Sequence, residues 1–496
     1  MELRPGSADR LLTADLQPVS ALEYHRLTVH RPGHPPVDDD RIVHGFHPML
    51  WNLKPPQFKT YPDVDTIALP ESIESGTTID VAALGRLLFL SGGVVRVMEV
   101  GGAPMWFRAA GSAGNLSPLE LYVVTGDIPG LDAGTYHYEP VAHALTRLGD
   151  VPATTPPALV VTGVPWRTSW KYRERGFRHL WWDAGTMLAQ TFAVTDDMGW
   201  PARLELGFVD RDVAALVGAD GTREVPLAIV GLQGPSVLPP APTSPPLTGH
   251  LGDTLVGFPL VTAAYRAGEL ASADDVDEWQ LAAATFAAGR AQGASDGPAP
   301  GPVDEVIRRR GSTREFKIDD TAPVRLLMDA MNWATRPVPA DFVAVGGTLL
   351  EHNLIVHAVD RWDAGAYRWG QGVDGLGLLA AGDLLAAARH LCLDQALGGD
   401  GAYTVFHCAD VEGVTAALGD RGYRAALLEA GIVEGRLHLA AYSLDYGATG
   451  LTFYDGEVKE FFDTRADPML VTAIGKPTYS SRAGGLPRRP VRMVPS

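Results

Sequence analysis

The chain contains an internal repeat whose matching segments are separated by 231 to 246 residues. RERGFRHLWWDAG, which ends at Gly185, matches GDRGYRAALLEAG, which ends at Gly431. Three further pairs lie in the same order: LGFVDRDV with LTFYDGEV, PLAIVGLQGP with MLVTAIGKP, and LDAGTYHY at residues 131–138 with WDAGAYRW at residues 362–369. Four collinear matches predict a duplicated unit, so the chain must adopt a fold in which two similar units occur.

Each copy has the pattern of an α+β domain. Helical periodicity covers residues 175–199 and 421–447, and both runs are long and apolar enough to be buried central helices. Strand-like runs occur at LELYVVTG, PLAIVG and MLVTAIG, each bounded by Gly or Pro. Because the two copies of a duplicated domain can reuse a homodimer interface, we predict that they pack as a pseudo-dimer.

The two predicted domains are separated by a connector. GPSVLPPAPTSPPLTG and GASDGPAPGP are dense in residues that prevent regular structure, whereas FPLVTAAYRAGEL and DVDEWQLAAATFAAGRA between them have helical periodicity. A chain of 496 residues is also too long for one hydrophobic core. We therefore predict domains at residues 1–235 and 304–496, joined by a partly helical connector at residues 236–303.

Charge and cysteine content exclude several classes of protein. The 41 Lys and Arg against 59 Asp and Glu give a net charge of −18, so a nucleic-acid partner is not expected. Two cysteines argue against a secreted disulfide scaffold, and residues 1–16 lack the apolar stretch of a signal peptide. No apolar run reaches the roughly 18 residues that a membrane span needs. We predict a cytoplasmic protein with no membrane association.

The first motif that could carry chemistry is RRRGSTR at residues 308–314. Guanidinium groups bind phosphate oxygens in a bidentate manner, and the Ser312 hydroxyl adds a donor. The motif therefore predicts a phosphate site, with a solvated basic patch as the alternative.

The second motif is RAAGSAGNLSP at residues 108–118. Its small residues allow the backbone to approach a ligand closely, and Ser112 and Asn115 offer polar groups to a flat heteroaromatic ring. The motif nearly fits the nucleophile elbow of hydrolases, but Ala110 stands where the first Gly belongs. An ordinary loop is the other alternative.

These motifs together resemble those of the nitroreductase-like FMN flavoenzymes. More narrowly, RAAGSAGNLSPLELYVV, GLDAGTYHY and WKYRERGFRHLWWDAG resemble segments of the SagB-type dehydrogenases, which include the azoline oxidases. The resemblance covers both halves, most strongly residues 24–231. It implies two tandem nitroreductase-like domains, each a central mixed or antiparallel sheet flanked by helices, packed as a pseudo-dimer with FMN at the interface.

The resemblance also assigns the FMN-binding residues. In the second half, those expected to hold the phosphate and ribityl chain are Arg309, Arg310, Ser312 and Arg314. In the first half, those expected to line the flavin are Ser112, Ala113, Gly114 and Asn115. GATGLT at residues 447–452 resembles the segment under the isoalloxazine ring, which assigns Thr449, Gly450 and Leu451 to the site, and Arg482 is expected to add a last phosphate contact.

Only one composite site is predicted to be intact. YHRLT at residues 24–28 is a poorer phosphate motif than RRRGSTR, and ATRPVPADF at residues 334–342, taken as the second-half counterpart of GSAGN, lacks the Ser-Ala-Gly-Asn set. The reciprocal site is therefore predicted to be degraded.

Lys171 and Tyr172 are the predicted catalytic residues. A Lys-Tyr pair at this place is catalytic in azoline oxidases, and the aligned positions of the second half hold Ala417 and Leu418. A lysine can act as a base when burial or neighbouring cations lower its pKa toward neutrality, and a tyrosine can stabilise developing charge. The alternative is that Lys171 is a surface residue and Tyr172 packs at the start of the helix.

Two weaker patterns predict no further site. GLGLLA at residues 375–380 fits a dinucleotide motif only loosely and follows no convincing strand. The spacing of His390, Cys392, His407 and Cys408 fits no zinc pattern, so no metal is predicted.

The favoured function is an FMN-dependent dehydrogenase or oxidase of an azoline or similar heterocyclic or peptide-like substrate in a biosynthetic pathway. The substrate is expected to be a small molecule or to be bound to a peptide or carrier, and partners in a biosynthetic complex are possible. One alternative is an NAD(P)H-dependent nitro- or quinone reductase with the same fold. Another is a flavin-free scaffold protein.

Overall fold

The computed structural model describes residues 19–33, 41–42, 49–74, 76–242, 246–253, 256–292, 300–372 and 375–493. The segment in which no signal peptide is predicted lies outside the described residues, as do parts of both Pro- and Gly-rich stretches of the connector. Within the described ranges, no helix combines the length and the apolar character needed to cross a bilayer.

The first half contains nine strands and five helices in the described ranges. The strands are β1 Thr66–Ala68, β2 Val94–Val100, β3 Ala103–Arg108, β4 Leu119–Thr125, β5 Gly134–Glu139, β6 Ala144–Gly149, β7 Ala158–Gly163, β8 Arg203–Glu205 and β9 Val225–Gly231. The helices are α1 Ala21–Leu27, α2 Val81–Gly92, α3 Pro165–Tyr172, α4 Gly176–Asp197 and α5 Asp210–Val217.

The connector contributes two helices, as its periodicity predicts, and the second half follows. The connector elements are α6 Pro259–Ala267, α7 Ala273–Thr285 and β10 Gly289–Arg290. The later helices are α8 Val303–Arg309, α9 Val324–Ala334, α10 Leu385–Leu391, α11 Leu397–Asp400, α12 Val411–Ser443 and α13 Asp455–Phe461. The later strands are β11 Gly347–Thr348, β12 Glu351–Val356, β13 Gly365–Trp369, β14 Leu376–Ala381, β15 Tyr403–Ala409, β16 Gly447–Leu451, β17 Asp467–Gly475 and β18 Val491–Met493.

Each half is built around one antiparallel sheet. The strand order is β1-β6-β5-β4-β7-β9-β8 in the first sheet and β14-β13-β12-β15-β17-β16 in the second. Apart from the extra edge strand β1, the second order repeats the first, which confirms the predicted duplication and the α+β class. The central strands β4, β7 and β15 are buried along their whole length. GLGLLA lies mostly in edge strand β14, which agrees with its rejection as a dinucleotide loop.

The two central helices, α4 and α12, cross at equivalent positions of the repeat. A methyl group on Gly185 would lie 2.3 Å from the carbonyl oxygen of Leu428, and one on Gly431 would lie 2.5 Å from that of Trp182. Because each glycine packs against the partner helix at the place where the other glycine lies, the contact has the self-complementary form of a two-fold dimer interface. The predicted pseudo-dimer packing is confirmed.

Paired arginines hold the two halves together in the same reciprocal way. Arg175 and Arg178 of the first half lie 3.1 and 2.8 Å from the carboxylate of Asp455 in the second half. These side chains are almost completely buried. We call these three residues the Asp455 clamp.

The equivalent cluster, which we call the Asp210 clamp, has its carboxylate in the first half and its arginines in the second. Arg421 and Arg424 of the second half lie 2.7 and 3.2 Å from the carboxylate of Asp210 in the first half. The arginines of the matching RGFR and RGYR segments therefore each bind an aspartate of the other half and not one of their own half.

The backbone also repeats at the start of the central helices. Arg173, between α3 and α4, has φ 53° and ψ −131°, and Gly419, which interrupts α12, has φ 61° and ψ −167°. Few residues other than glycine adopt this region without strain. Gly419 adopts it freely, whereas Arg173 holds a strained backbone directly after Lys171 and Tyr172.

Candidate active site

The small-residue loop at residues 108–118 is fixed to the central helix α4 by one carboxyl group. Ser112 Oγ donates to Asp183 Oδ2 at 2.7 Å, and the Ala113 N–H donates to Asp183 Oδ1 at 2.9 Å. The Asn115 side chain donates to the carbonyl oxygen of Trp106 at 2.9 Å. These bonds set the position of the loop before any ligand is bound.

Burial raises the pKa of Asp183 to about 7, and the nearby Glu434 adds to the rise. The bonds from Ser112 and Ala113 favour the charged form and oppose the rise. The carboxyl group that anchors the loop therefore gains and loses a proton near neutral pH.

The Lys171–Tyr172 pair lies against this loop. Gly114 has φ 62°, and a methyl group on it would be 3.1 Å from both Lys171 Nζ and Tyr172 Oη. Burial lowers the pKa of Lys171, whereas burial and the charge of Asp183 raise the pKa of Tyr172 well above its usual value. At neutral pH, Tyr172 therefore keeps its proton and can donate it in a hydrogen bond.

His179 on α4 supports the Tyr172 ring. The two rings stack with centroids 3.7 Å apart, and the His179 and Trp182 rings pack edge to face with centroids 4.7 Å apart. Burial and the charge of Arg175 hold the pKa of His179 well below its usual range, so the imidazole is neutral. A neutral ring between two aromatic groups fixes Tyr172 without adding charge.

The second half reaches this loop through Arg310. Its Nε and Nη2 donate to the carbonyl oxygen of Ala109 at 3.1 and 2.7 Å. A methyl group on Gly111 would lie 3.1 Å from Arg310 Nη1 and 3.3 Å from Thr186. Thr186 Oγ1 donates in turn to Glu434 of α12 at 2.5 Å, so both central helices border the site.

The segment at residues 447–452 meets the basic motif on the same side. Ser312 Oγ lies 3.3 Å from Thr449 Oγ1, and a methyl group on Gly450 would lie 2.7 Å from Glu434 Oε1. Gly450 is exposed, whereas Leu451 is buried and pairs with Val471 of β17. Thr449 and Gly450 therefore lie at the site, and Leu451 supports them from the core.

The arginines of the basic motif have different positions. Arg314 is exposed and forms no ion pair with the residues that the structure describes. Arg309, by contrast, binds Asp445 at 2.6 Å and the carbonyl oxygen of Tyr442, at the end of α12. Of the predicted phosphate ligands, Arg309 is thus engaged away from the loop, Arg310 is engaged by the backbone of the loop itself, and Arg314 is exposed.

Arg482 is brought to the basic motif by Arg96 of the first half. The Arg96 guanidinium donates to the carbonyl oxygen of Arg308 at 2.7 Å and to that of Arg482 at 2.8 Å. Two basic segments that are far apart in sequence therefore meet in a chain of net charge −18.

The reciprocal position is filled by the protein itself. The connector helix α7 covers it: Trp279 Nε1 donates to the carbonyl oxygen of Leu418 at 3.0 Å, and a methyl group on Gly207 would lie 2.7 Å from the side chain of Gln280. Leu418 is the counterpart of Tyr172. In the first-half motif, Tyr24 is buried and donates to the Glu174 carbonyl at 2.7 Å.

The second-half counterpart of the loop needs a correction in register. Glu429 lies at the repeat position of Asp183 and accepts from the Leu349 N–H at 2.9 Å, as Asp183 accepts from the Ala113 N–H, so Ser112-Ala113 of GSAGN correspond to Thr348-Leu349 and not to a pair within residues 334–342. The corrected segment also lacks the Ser-Ala-Gly-Asn set. Thr348 Oγ1 donates to Glu429 at 2.6 Å, as Ser112 Oγ donates to Asp183, so a carboxyl group on the central helix binds the loop in both halves.

The residues around the small-residue loop at residues 108–118 fit a flat ligand that carries a phosphate. Gly111, Gly114 and Gly450 each pack so closely on polar side chains that a methyl group there would meet them at about 3 Å or less, so bare backbone and polar groups lie side by side here. Ser312 and Arg314 supply an exposed hydroxyl and an exposed cation on the other side. Sequence reasoning missed Asp183, although WWDAG lies within the repeat.

Comparison with known proteins agrees on the fold. No protein-family model matches the chain. A candidate nitroreductase of Methanocaldococcus jannaschii is 24% identical over 34% of this chain and 92% of its own length. The crystal structure of a candidate nitroreductase from Anabaena variabilis matches 92% of this chain and 99% of its own, with a TM-score of 0.72 and 24% identity.

A weaker match is the Escherichia coli microcin synthetase McbBCD complex, 19% identical with a TM-score of 0.28. A similarity at this level supports neither a substrate nor a partner for this chain. The match over nearly the whole length, together with the repeated sheet order, shows that this chain has the nitroreductase-like fold, with two α+β units packed as a pseudo-dimer.

Proposed function

We propose that this protein is an FMN-dependent oxidoreductase that binds one flavin between its two halves and dehydrogenates an azoline or a similar heterocyclic substrate. The observation that carries the proposal is the junction at Gly114. There the small-residue loop touches Lys171 and Tyr172, while the same loop contacts Arg310 of the second half through Gly111. The reciprocal position is covered by α7, which supports a single site.

The second half would hold the phosphate. Ser312 and Arg314 supply an exposed hydroxyl and an exposed cation, and Arg482 is brought close through Arg96. Residues 112–115 would line the flavin from the first half. When bound, FMN supplies a two-electron acceptor that takes a hydride from the substrate.

Lys171 and Tyr172 would act on the substrate. Dehydrogenation of an azoline removes a proton from one ring carbon and a hydride from its neighbour, leaving a double bond between them, so a base is needed beside the flavin. Burial already lowers the pKa of Lys171, so its Nζ can accept the proton more readily than an exposed lysine can. Tyr172, held protonated and stacked on His179, would donate to the developing negative charge.

Variants of this pair test the proposal. We expect Lys171→Ala and Tyr172→Phe to retain flavin and to lower oxidation of a thiazoline-containing peptide by about 10²- to 10⁴-fold. Reduction of the flavin by dithionite should be unchanged, because that reaction needs no base. Lys317→Ala, which removes an exposed lysine elsewhere on the second half, is the matched control and should behave as wild type.

Other outcomes would overturn parts of the proposal. If Lys171→Ala loses flavin but regains full activity when FMN is added, the pair is structural. If the protein reduces quinones with NADH at a rate that Lys171→Ala leaves unchanged, and no thiazoline is oxidised, the protein is a reductase.

A further inference from the structure

A strip of exposed apolar side chains lies beside the Lys171–Tyr172 pair. We call residues 49–54, with the sequence MLWNLK, the shelf. The exposed fractions of Met49, Leu50 and Trp51 are 47%, 36% and 65%. Large apolar side chains are exposed singly on most proteins, whereas contiguous exposed apolar surface marks an interaction site.

The shelf is fixed to the residue that precedes Lys171. The Met49 N–H donates to the carbonyl oxygen of Trp170 at 3.2 Å, and Trp170 Nε1 donates to that of Leu50 at 2.9 Å. The Trp51 ring meets the buried Trp170 ring edge-on at 5.5 Å. The position of the shelf relative to Lys171 is therefore set by direct contacts.

The chain that continues from the shelf reaches the small-residue loop. Gln57 Nε2 donates to the carbonyl oxygen of Asn115 at 3.1 Å, and Gln57 Oε1 accepts from the Trp106 N–H at 3.0 Å. Residues 49–57 thus run from the Lys171 side of the candidate site to its loop side. These residues therefore lie beside both the Lys171–Tyr172 pair and the small-residue loop.

Lys54 adds a cation to the shelf. Its Nζ lies 5.3 Å from the centre of the Trp51 ring and 5.8 Å from that of Trp170. It forms no ion pair with any residue in the described ranges, and partial burial lowers its pKa. A partly desolvated ammonium group that has no counter-ion among the described residues, in a chain of net charge −18, is well suited to an anionic group of a ligand.

We propose that the shelf is a substrate-binding subsite for an apolar acid. An aliphatic or aromatic group of the substrate packs on Met49, Leu50 and Trp51, and its carboxylate pairs with Lys54. The inference rests on the proposed function for the reaction that follows, but the binding can be measured without turnover. It restricts the substrate class to azolines or related heterocycles that carry an apolar acidic substituent.

Two probes of the same shape test the subsite, namely 4-phenylbutyrate and its neutral amide, 4-phenylbutanamide. We expect calorimetric titration of the full-length protein to give roughly three- to tenfold tighter binding of the acid. Lys54→Gln should remove this preference. Trp51→Ala should lower the affinity for the acid and the affinity for the amide to a similar extent. Leu281→Ala, at a 71% exposed apolar side chain on the connector helix, is the matched control and should change neither affinity.

Flavin content, measured on the same samples, separates this inference from the proposed function. Equal binding of the acid and the amide, loss of neither affinity in Trp51→Ala, or no binding at all would overturn the subsite, whatever the flavin content. An acid preference that depends on Lys54 in a protein without flavin would support the subsite and reject the oxidoreductase.

Discussion

The Asp455 clamp gives the sharpest test of the pseudo-dimer. Asp455→Asn removes the charge that two buried guanidinium groups share at 2.8 and 3.1 Å. Breaking a buried ion pair from one side leaves the partner charge uncompensated and costs about 3–5 kcal/mol. At about 2–4 °C per kcal/mol for a unit of this size, the melting temperature should fall on the order of 10 °C.

Differential scanning fluorimetry can measure this fall, with two comparisons. Asp210→Asn removes the reciprocal clamp and should cause a fall of similar size, because Asp210 also binds two buried arginines. Asp212→Ala removes a half-exposed carboxylate that pairs with its exposed neighbour Arg211, and should change stability by less than about 0.5 kcal/mol. A fall for Asp455→Asn no larger than that for Asp212→Ala would refute the clamp.

The pH dependence of the same variant has a defined sign. Burial alone would raise the pKa of Asp455, but Arg175 and Arg178 hold it well below its usual range. A carboxyl group whose pKa is depressed by folding stabilises the folded state above its unfolded pKa of about 4, and this stabilisation is lost as pH falls. The wild type should therefore lose stability below about pH 4 more steeply than Asp455→Asn.

Three further predictions concern single residues. Arg314→Ala should remove a charge-assisted phosphate contact of about 1.5–3 kcal/mol and weaken FMN binding on the order of 10- to 100-fold, measured by fluorescence titration. Gly419→Ala should lower the stability by about 1–3 kcal/mol through its positive φ alone, since no atom lies within 4 Å of the added methyl group; an unchanged melting temperature would contradict this. Because burial raises the pKa of Asp183 to about 7, its charged form disfavours folding between about pH 4 and 7; the stability of the wild type relative to that of Asp183→Asn should therefore fall as the pH rises across that range.

The repeat predicted much of the fold because its matches fall on elements that have the same role in both copies. Gly185 and Gly431 match in sequence, and the structure brings these two positions together where the central helices cross. Strands predicted at LELYVVTG, PLAIVG and MLVTAIG are β4, β9 and β17. Patterns of this kind are local, so they can be recognised in the sequence without knowledge of the tertiary structure.

Contacts between the halves could not be predicted from the same patterns. The arginines of RGFR bind Asp455, about 280 positions away, although an aspartate at the matching place lies in their own half. Arg309 belongs to the basic motif, yet it binds Asp445 because α8 ends beside the last turn of α12. A motif states which side chains are present, and the tertiary packing decides which of them are free to bind a ligand.

The sequence also did not predict that the connector helix α7 covers the reciprocal position. Its degraded motifs predicted that no flavin binds there, but not that Trp279 of the connector would bond to the backbone of Leu418. The exposed side chains of the shelf carried no recognisable signal, because their role depends on Trp170, about 120 positions later.

The central claim is a single flavin site shared by both halves, and the ratio of flavin to protein tests it most directly. The protein is saturated with FMN, freed of unbound flavin and denatured, and the released flavin is quantified by absorbance against the protein concentration. We predict one FMN per chain for the wild type and a loss of FMN in Arg314→Ala. Two FMN per chain, or none, would contradict the account.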